Sequence, residues 1–166
     1  MKEELEKLLV KTYPCLYRDY GGDMRQTCMH WGFACGDGWF DIINDLSRKI
    51  NVLMITDNVY VVADQVKEKF GGLRFYCHIE CENPSCYSKI SKWCQTFMFN
   101  RKLGRQYWKI INFRRKFWKS TKEKISDIID EAESLSFKTC EICGNPGELR
   151  GGNWMSTLCN NCHKNK

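Results

Sequence analysis

Residues 140–162 read CEICGNPGELRGGNWMSTLCNNC. Two Cys-x-x-Cys pairs, Cys140 with Cys143 and Cys159 with Cys162, bracket the fifteen residues Gly144–Leu158. Two tight turns at that spacing present four thiolates to one tetrahedral ion, at about 2.3 Å each. Gly144 follows the first pair and His163 the second, so each pair can form a small knuckle. Between them GELRGGNWMSTL predicts two short strands that reverse at Gly151-Gly152. This is the pattern of a four-cysteine zinc ribbon. Zinc is the expected cofactor, held by Cys140, Cys143, Cys159 and Cys162, because a segment this small buries too little apolar surface to fold alone. Four thiolates leave no open position for water or substrate, so the metal is read as scaffolding and the function is sought around it.

Working outward, the chain has 166 residues, enough for one compact body plus the ribbon. Three units are expected: an α+β body over 1–80, a basic aromatic helical insertion over 81–124, and a helix plus ribbon over 125–166. No apolar run reaches the roughly 20 residues of a membrane span, and MKEELEKLLVK is a charged amphipathic helix rather than a signal peptide. A cytoplasmic protein is expected. The eleven cysteines are odd in number and four have metal spacing, which fits a reducing compartment better than a disulfide scaffold.

The net charge of +6 is unevenly placed. Residues 87–124 carry twelve Lys or Arg against one acid, Glu123, a local charge of +11 that leaves −5 for the remainder. Aromatic residues interleave with these cations, including Trp93, Tyr107, Trp108 and Trp118. Such a surface neutralises phosphates while ring faces stack on bases. Helical spacing alternatively makes many of the aromatics the buried face of a helix. The candidate phosphate contacts are Arg114, Arg115 and Lys116, and no membrane association is expected.

Elsewhere, residues 2–11 predict a helix with Leu5, Leu8 and Leu9 on one side. Trp39, Ile43, Leu46 and Ile50 predict a second over 38–50, with Asp37 as N-cap. NVLMI and VYVVADQVKEKF have strand character, and Gly71-Gly72 predicts a hairpin of 59–69 with 73–79. A pattern free of proline from about 88 to 135 predicts one long helix or two stacked ones. The expected class is α+β, with helices around a small antiparallel sheet.

In the hairpin, Lys67, Lys69, Arg74 and Tyr76 surround the turn, and Trp31 in the neighbouring CMHWGFACGDGW offers a wall for a flat ligand. The same pattern also suits an ordinary hairpin with a solvated charged face. Cys77, Cys81, Cys86 and Cys94 offer either a second metal site or buried thiols. No Ser-His-Asp set, P-loop or dinucleotide fingerprint is present.

CMHWGFACGDGWFDII, QVKEKFGGLRFY and IIDEAESLSFKTCEICGNPGELRGGNWMSTLCNNC together resemble a family of small bacteriophage- and prophage-encoded proteins. The resemblance covers roughly residues 12–80 and 125–163. It implies an α+β body with a C-terminal zinc ribbon and a phage origin, hence the cytoplasm of the host cell, and no activity. In that family the hairpin and the ribbon helix are joined by a shorter connection, so 81–124 reads as an elaboration. TLCNNCHKNK is also similar to the end of zinc-stabilised HNH endonucleases. That module activates water with a histidine lying between its cysteine pairs, and Gly144–Leu158 contains none. The expected function is therefore non-enzymatic: capture of an anionic nucleotide or nucleic acid, in host takeover or counter-defence. The alternatives are a degenerate HNH-like nuclease and an inhibitor that binds a host protein.

Overall fold

The computed structural model describes residues 1–80, 120–152 and 154–165. Within them the chain is α+β, as the hydrophobic periodicity predicts. Helix α1, Glu3–Thr12, buries Leu9 and Glu6 and leaves Leu8 half exposed. Burying Glu6 is sustainable because its carboxylate is fully engaged. It accepts the Tyr20 hydroxyl at 2.7 Å and the Phe33 amide at 3.2 Å, tying α1 to the start of the sheet.

Helix α2 spans Phe40–Thr56 and buries Ile42, Ile43, Leu46, Ile50 and Met54. Two expectations fail here. NVLMI continues α2 instead of forming a strand, because Met54 extends the buried stripe of Leu46 and Ile50 by one more turn; packing along that stripe overrides the strand preference of a short β-branched run. Asp37 does not cap α2. It lies in a short 3-10 turn, Asp37–Trp39, and its carboxylate accepts the Lys2 amide at 2.7 Å.

The sheet has three strands in the order β1 (Phe33–Ala34), β2 (Tyr60–Lys69) and β3 (Gly72–Glu80). β2 and β3 form the expected hairpin, with Val66 opposite Phe75, Lys67 opposite Arg74 and an irregularity at Asp64. The reversal lies at Phe70 and Gly71, which both have positive φ, 55° and 78°. That combination gives a two-residue turn whose twist matches the strands. β1 is parallel to β2, pairing Phe33 with Val66 and Ala34 with Lys67. The sheet is therefore mixed, not antiparallel: β1 is joined to β2 through α2, and a crossover helix returns the chain in the same direction.

Helix α3, Thr121–Ser136, opens on a reciprocal capping box: the Glu123 amide donates to Ser120 Oγ and the Ser120 amide to the Glu123 carboxylate. It buries Ile125 and Ala132 against α2 and β3. Its side chains also cover the outer edge of β3, where Leu73 N donates to Ser136 Oγ at 2.9 Å and Phe75 N to Glu133 at 3.3 Å. Engaging these two amides blunts the first half of the β3 edge against pairing with another chain. The expected helical insertion over 81–124 lies outside the described residues up to 119.

The core is centred on Trp39, Tyr17, Phe33, Met29, Ile43 and Leu73, all fully buried. Tyr17 packs edge-on against Phe33, with ring centroids 5.0 Å apart, and its hydroxyl meets Ser47 Oγ at 2.6 Å. Burial drives the Tyr17 hydroxyl far above its ordinary pKa, so it stays a neutral hydrogen-bonding partner.

Candidate metal centre

The ribbon strands form as the sequence predicts: β4 (Glu148–Arg150) pairs antiparallel with β5 (Ser156–Leu158). Each cysteine pair sits on a tight turn. In the first, Gly144 N donates to Cys140 O at 2.9 Å and Cys140 N to Asn145 O at 2.7 Å. Gly144 adopts φ +76°, a conformation a side chain disfavours. In the second, Cys159 caps the short helix α4, Asn160–Lys164, with its sulfur accepting the Cys162 amide at 3.4 Å.

These turns bring the sulfurs of Cys140, Cys143, Cys159 and Cys162 within 4.8 Å of one another, the one such ligand cluster among the described residues. Cys143 and Cys159 are 3.6 Å apart, far beyond the roughly 2.05 Å of a disulfide. Four sulfurs at about 2.3 Å from a tetrahedral ion stand about 3.8 Å from each other. The four cysteines can therefore hold a metal ion, and an all-sulfur tetrahedral donor set is the chemistry zinc takes.

The electrostatics agree. Burial opposes ionisation of Cys140, yet backbone amides of Cys159, Cys143 and Ile142 directed at its sulfur bring the thiol down to about 7. Cys159 is lowered chiefly by the Cys162 amide. Cys162, crowded by hydrogen bonds to Cys159 and Cys143, is pushed up to about 12. The amides aimed at Cys140 and Cys159 thus favour the deprotonated sulfur that a metal takes.

The site is docked rather than freestanding. Gly38 N donates to Glu141 O at 2.8 Å, Gly36 N to the Glu141 carboxylate at 2.9 Å, and Trp39 Nε1 to Thr139 O at 2.8 Å. A Cβ on Gly38 would collide with the backbone of Cys140 and Gly144, and one on Gly36 with Glu141. The hairpin turn holds the other side. Thr157 Oγ1 donates to Gly71 O at 2.6 Å, a Cβ on Gly71 would strike Leu149, and one on Gly72 would strike the Phe137 ring. CGDGW and KFGGL are thus two halves of a cradle for the ribbon. Glu141, Thr139 and Thr157 are docking residues that the sequence reading missed; the alternating glycines of CGDG were the available signal.

The candidate ligand residues divide. Lys67, Lys69, Arg74 and Tyr76 share the outward face of the hairpin with Gln65 and Ala34, opposite the core-facing Phe33, Val66 and Phe75. Arg74 pairs with Glu133 at 3.0 Å and lies over the Phe137 ring. Lys67 Nζ stands 5.4 Å from the Tyr76 ring centroid, and Lys69 Nζ 5.2 Å from that of Phe70. Trp31 ends a separate 3-10 turn, Cys28–Trp31, and is 69% exposed. Arg114, Arg115 and Lys116 lie outside the described residues, as do Cys81, Cys86 and Cys94. Burial pushes the Cys77 thiol up to about 11 and that of Cys35 up to about 12, so neither is primed as a thiolate. Among the described residues no helix is long and apolar enough to cross a membrane. No family model, no curated protein and no solved structure matches this chain.

Proposed function

We propose that Cys140, Cys143, Cys159 and Cys162 hold a structural zinc and that the protein is a non-enzymatic binder of an anionic nucleotide or nucleic acid. Zinc here supplies a cross-link between the two knuckles, with no open coordination position for chemistry. The carrying observation is the outward face of the β2–β3 hairpin. Lys67 stands directly opposite Arg74, a placement of like charges that destabilises a strand pair. Glu133 compensates Arg74, whereas Lys67 and Lys69 meet no carboxylate at ion-pair distance among the described residues. An anionic ligand on this face supplies the missing counter-charge, and Tyr76 offers it a flat apolar surface. The basic segment that includes Arg114, Arg115 and Lys116 extends the same chemistry along the chain. Read with the phage-type resemblance, capture of such a ligand serves host takeover or counter-defence.

The test is direct. Protein purified without chelator should carry about one zinc per chain, the content expected of a single tetrathiolate site. Its affinity for labelled DNA should fall linearly with the logarithm of salt concentration, by about 0.9 per neutralised phosphate on duplex. Lys67→Gln with Lys69→Gln should flatten that slope, and so should joint replacement of Arg114, Arg115 and Lys116 by Gln. Binding that is indifferent to both sets of changes would remove this reading.

A further inference from the structure

Beside the basic stripe of the hairpin lies a shallow groove of about 270 Å³ lined by Gln26, Thr27, Cys28, Asp64, Gln65 and Tyr76. Its walls come from different parts of the chain. Tyr76 and Gln65 are cross-strand partners, Asp64 sits at the register irregularity of β2, and residues 26–28 lead into the 3-10 turn packed on β2. We infer that this groove seats one unpaired nucleobase, stacked on Tyr76 and bonded along its edge by the amides of Gln26 and Gln65, with the attached phosphate on Lys67. The inference deepens the anion-binding reading of the outward face and rests on it.

Three observations carry it. First, the Tyr76 hydroxyl is uncommitted, while its ring is approached by the Lys67 ammonium, 5.4 Å from the centroid. Among the described residues the hydroxyls of Tyr13, Tyr17 and Tyr20 bond to Asn44, Ser47 and Glu6, and that of Tyr60 serves Arg18. The Tyr76 hydroxyl has no such partner, and the side chain is 44% exposed on a strand. Second, the side-chain carboxamides of Gln26 and Gln65 make no hydrogen bond to the described residues, although each offers both donors and an acceptor. A base edge presents that mixture, whereas a phosphate offers acceptors alone.

Third, charge is sorted along the face. Asp64, held by His78 Nδ1 at 2.7 Å, places a carboxylate at the groove, which repels an anion and accepts from an exocyclic amine. Lys67 flanks the groove without lining it, its ammonium 5.4 Å from the Tyr76 ring centroid. The neutral, hydrogen-bonding end of a nucleotide therefore belongs in the groove and the anionic end on the lysine. A base already paired in a duplex cannot offer its face to Tyr76, so the ligand is single-stranded or a free nucleotide.

Fluorescence anisotropy on the zinc-loaded full chain decides the matter, using twelve-nucleotide single strands that carry either bases or abasic sites at equal phosphate number. The base-bearing strand should bind about ten-fold tighter than the abasic one, the worth of one stacked base. Tyr76→Ala should erase that difference without weakening the abasic strand, and Tyr76→Phe should keep most of it. Gln26→Ala with Gln65→Ala, two positions off the core, should reduce it independently and guards against a folding defect in the tyrosine variant. Competition by a mononucleotide identifies a free nucleotide as the source of the base, and displacement by unlabelled strand alone identifies a polymer. Equal affinity for the two strands overturns the base seat while leaving the anionic face standing. Failure of both strands to bind overturns both readings.

Discussion

Gly38 shows how little room the docked ribbon leaves. A methyl group there would overlap the Cys140 carbonyl and the Gly144 amide and stand 2.8 Å from Cys143 N, all backbone atoms of the first knuckle that cannot swing aside. Gly38→Ala should therefore lower stability by about 1–3 kcal/mol, the range for adding a methyl group to a close-packed site, and weaken metal retention as well. Gly151 is the control: nothing lies within 4 Å of a Cβ at that position, so Gly151→Ala should stay within about 0.5 kcal/mol. Chemical denaturation followed with a zinc indicator reads both quantities. If Gly38→Ala unfolds and releases metal as the parent does, the knuckle is not seated on this loop.

Between elements, α2 and α3 are joined by packing, by the Lys49–Glu131 ion pair at 2.6 Å and, at the end of α2, by one carboxylate. Asp57, just after α2, accepts Thr121 Oγ1 at 2.8 Å and Lys124 Nζ at 2.7 Å from the first turns of α3. Partial burial opposes its ionisation, but the Lys124 ammonium and the Thr121 hydroxyl outweigh it and hold the carboxyl below its ordinary value. A lowered carboxyl stabilises the fold above its unfolded value of about 4, and that contribution disappears as pH falls through the still lower folded value. Asp57→Asn should thus cost about 1 kcal/mol at neutral pH, seen as a lower urea midpoint. The gap between variant and parent should narrow as pH falls below the unfolded value and close once the lower folded value is passed. A gap that persists unchanged into acid would mean that packing at this joint, not charge, is what the substitution disturbs.

For the molecule as a whole, the ribbon contacts both the loop before α2 and the turn of the hairpin, so metal and body should be coupled. If a metal at 100 to 1,000 times its dissociation constant adds about 3–4 kcal/mol, its removal should lower the melting temperature by about 6–16 °C for a chain of this size. Hydrogen exchange locates the effect. On chelation, protection should fall at the amides of Gly36 and Gly38, which donate to Glu141, together with the ribbon itself. Loss confined to residues beyond 139 would make the ribbon an independent unit.

Much of this protein was legible in its sequence because local chemistry decides it. The two Cys-x-x-Cys pairs predicted the four clustered sulfurs, since a tight turn places two thiols side by side whatever surrounds them. The stripe from Ile43 to Ile50 predicted α2, and the glycines after Phe70 predicted a reversal. The end of α2 was not legible: NVLMI has the composition of a strand, and only the space awaiting Met54 makes it helix. The parallel pairing of β1 was hidden as well, because a two-residue strand carries no period and gains its direction from the crossover through α2. The fate of CGDGW and KFGGL was decided by tertiary structure alone. Bare glycine backbone admits any close neighbour, and which one arrives, a ligand or the chain's own ribbon, depends on contacts between residues about a hundred positions apart, such as Trp39 with Thr139.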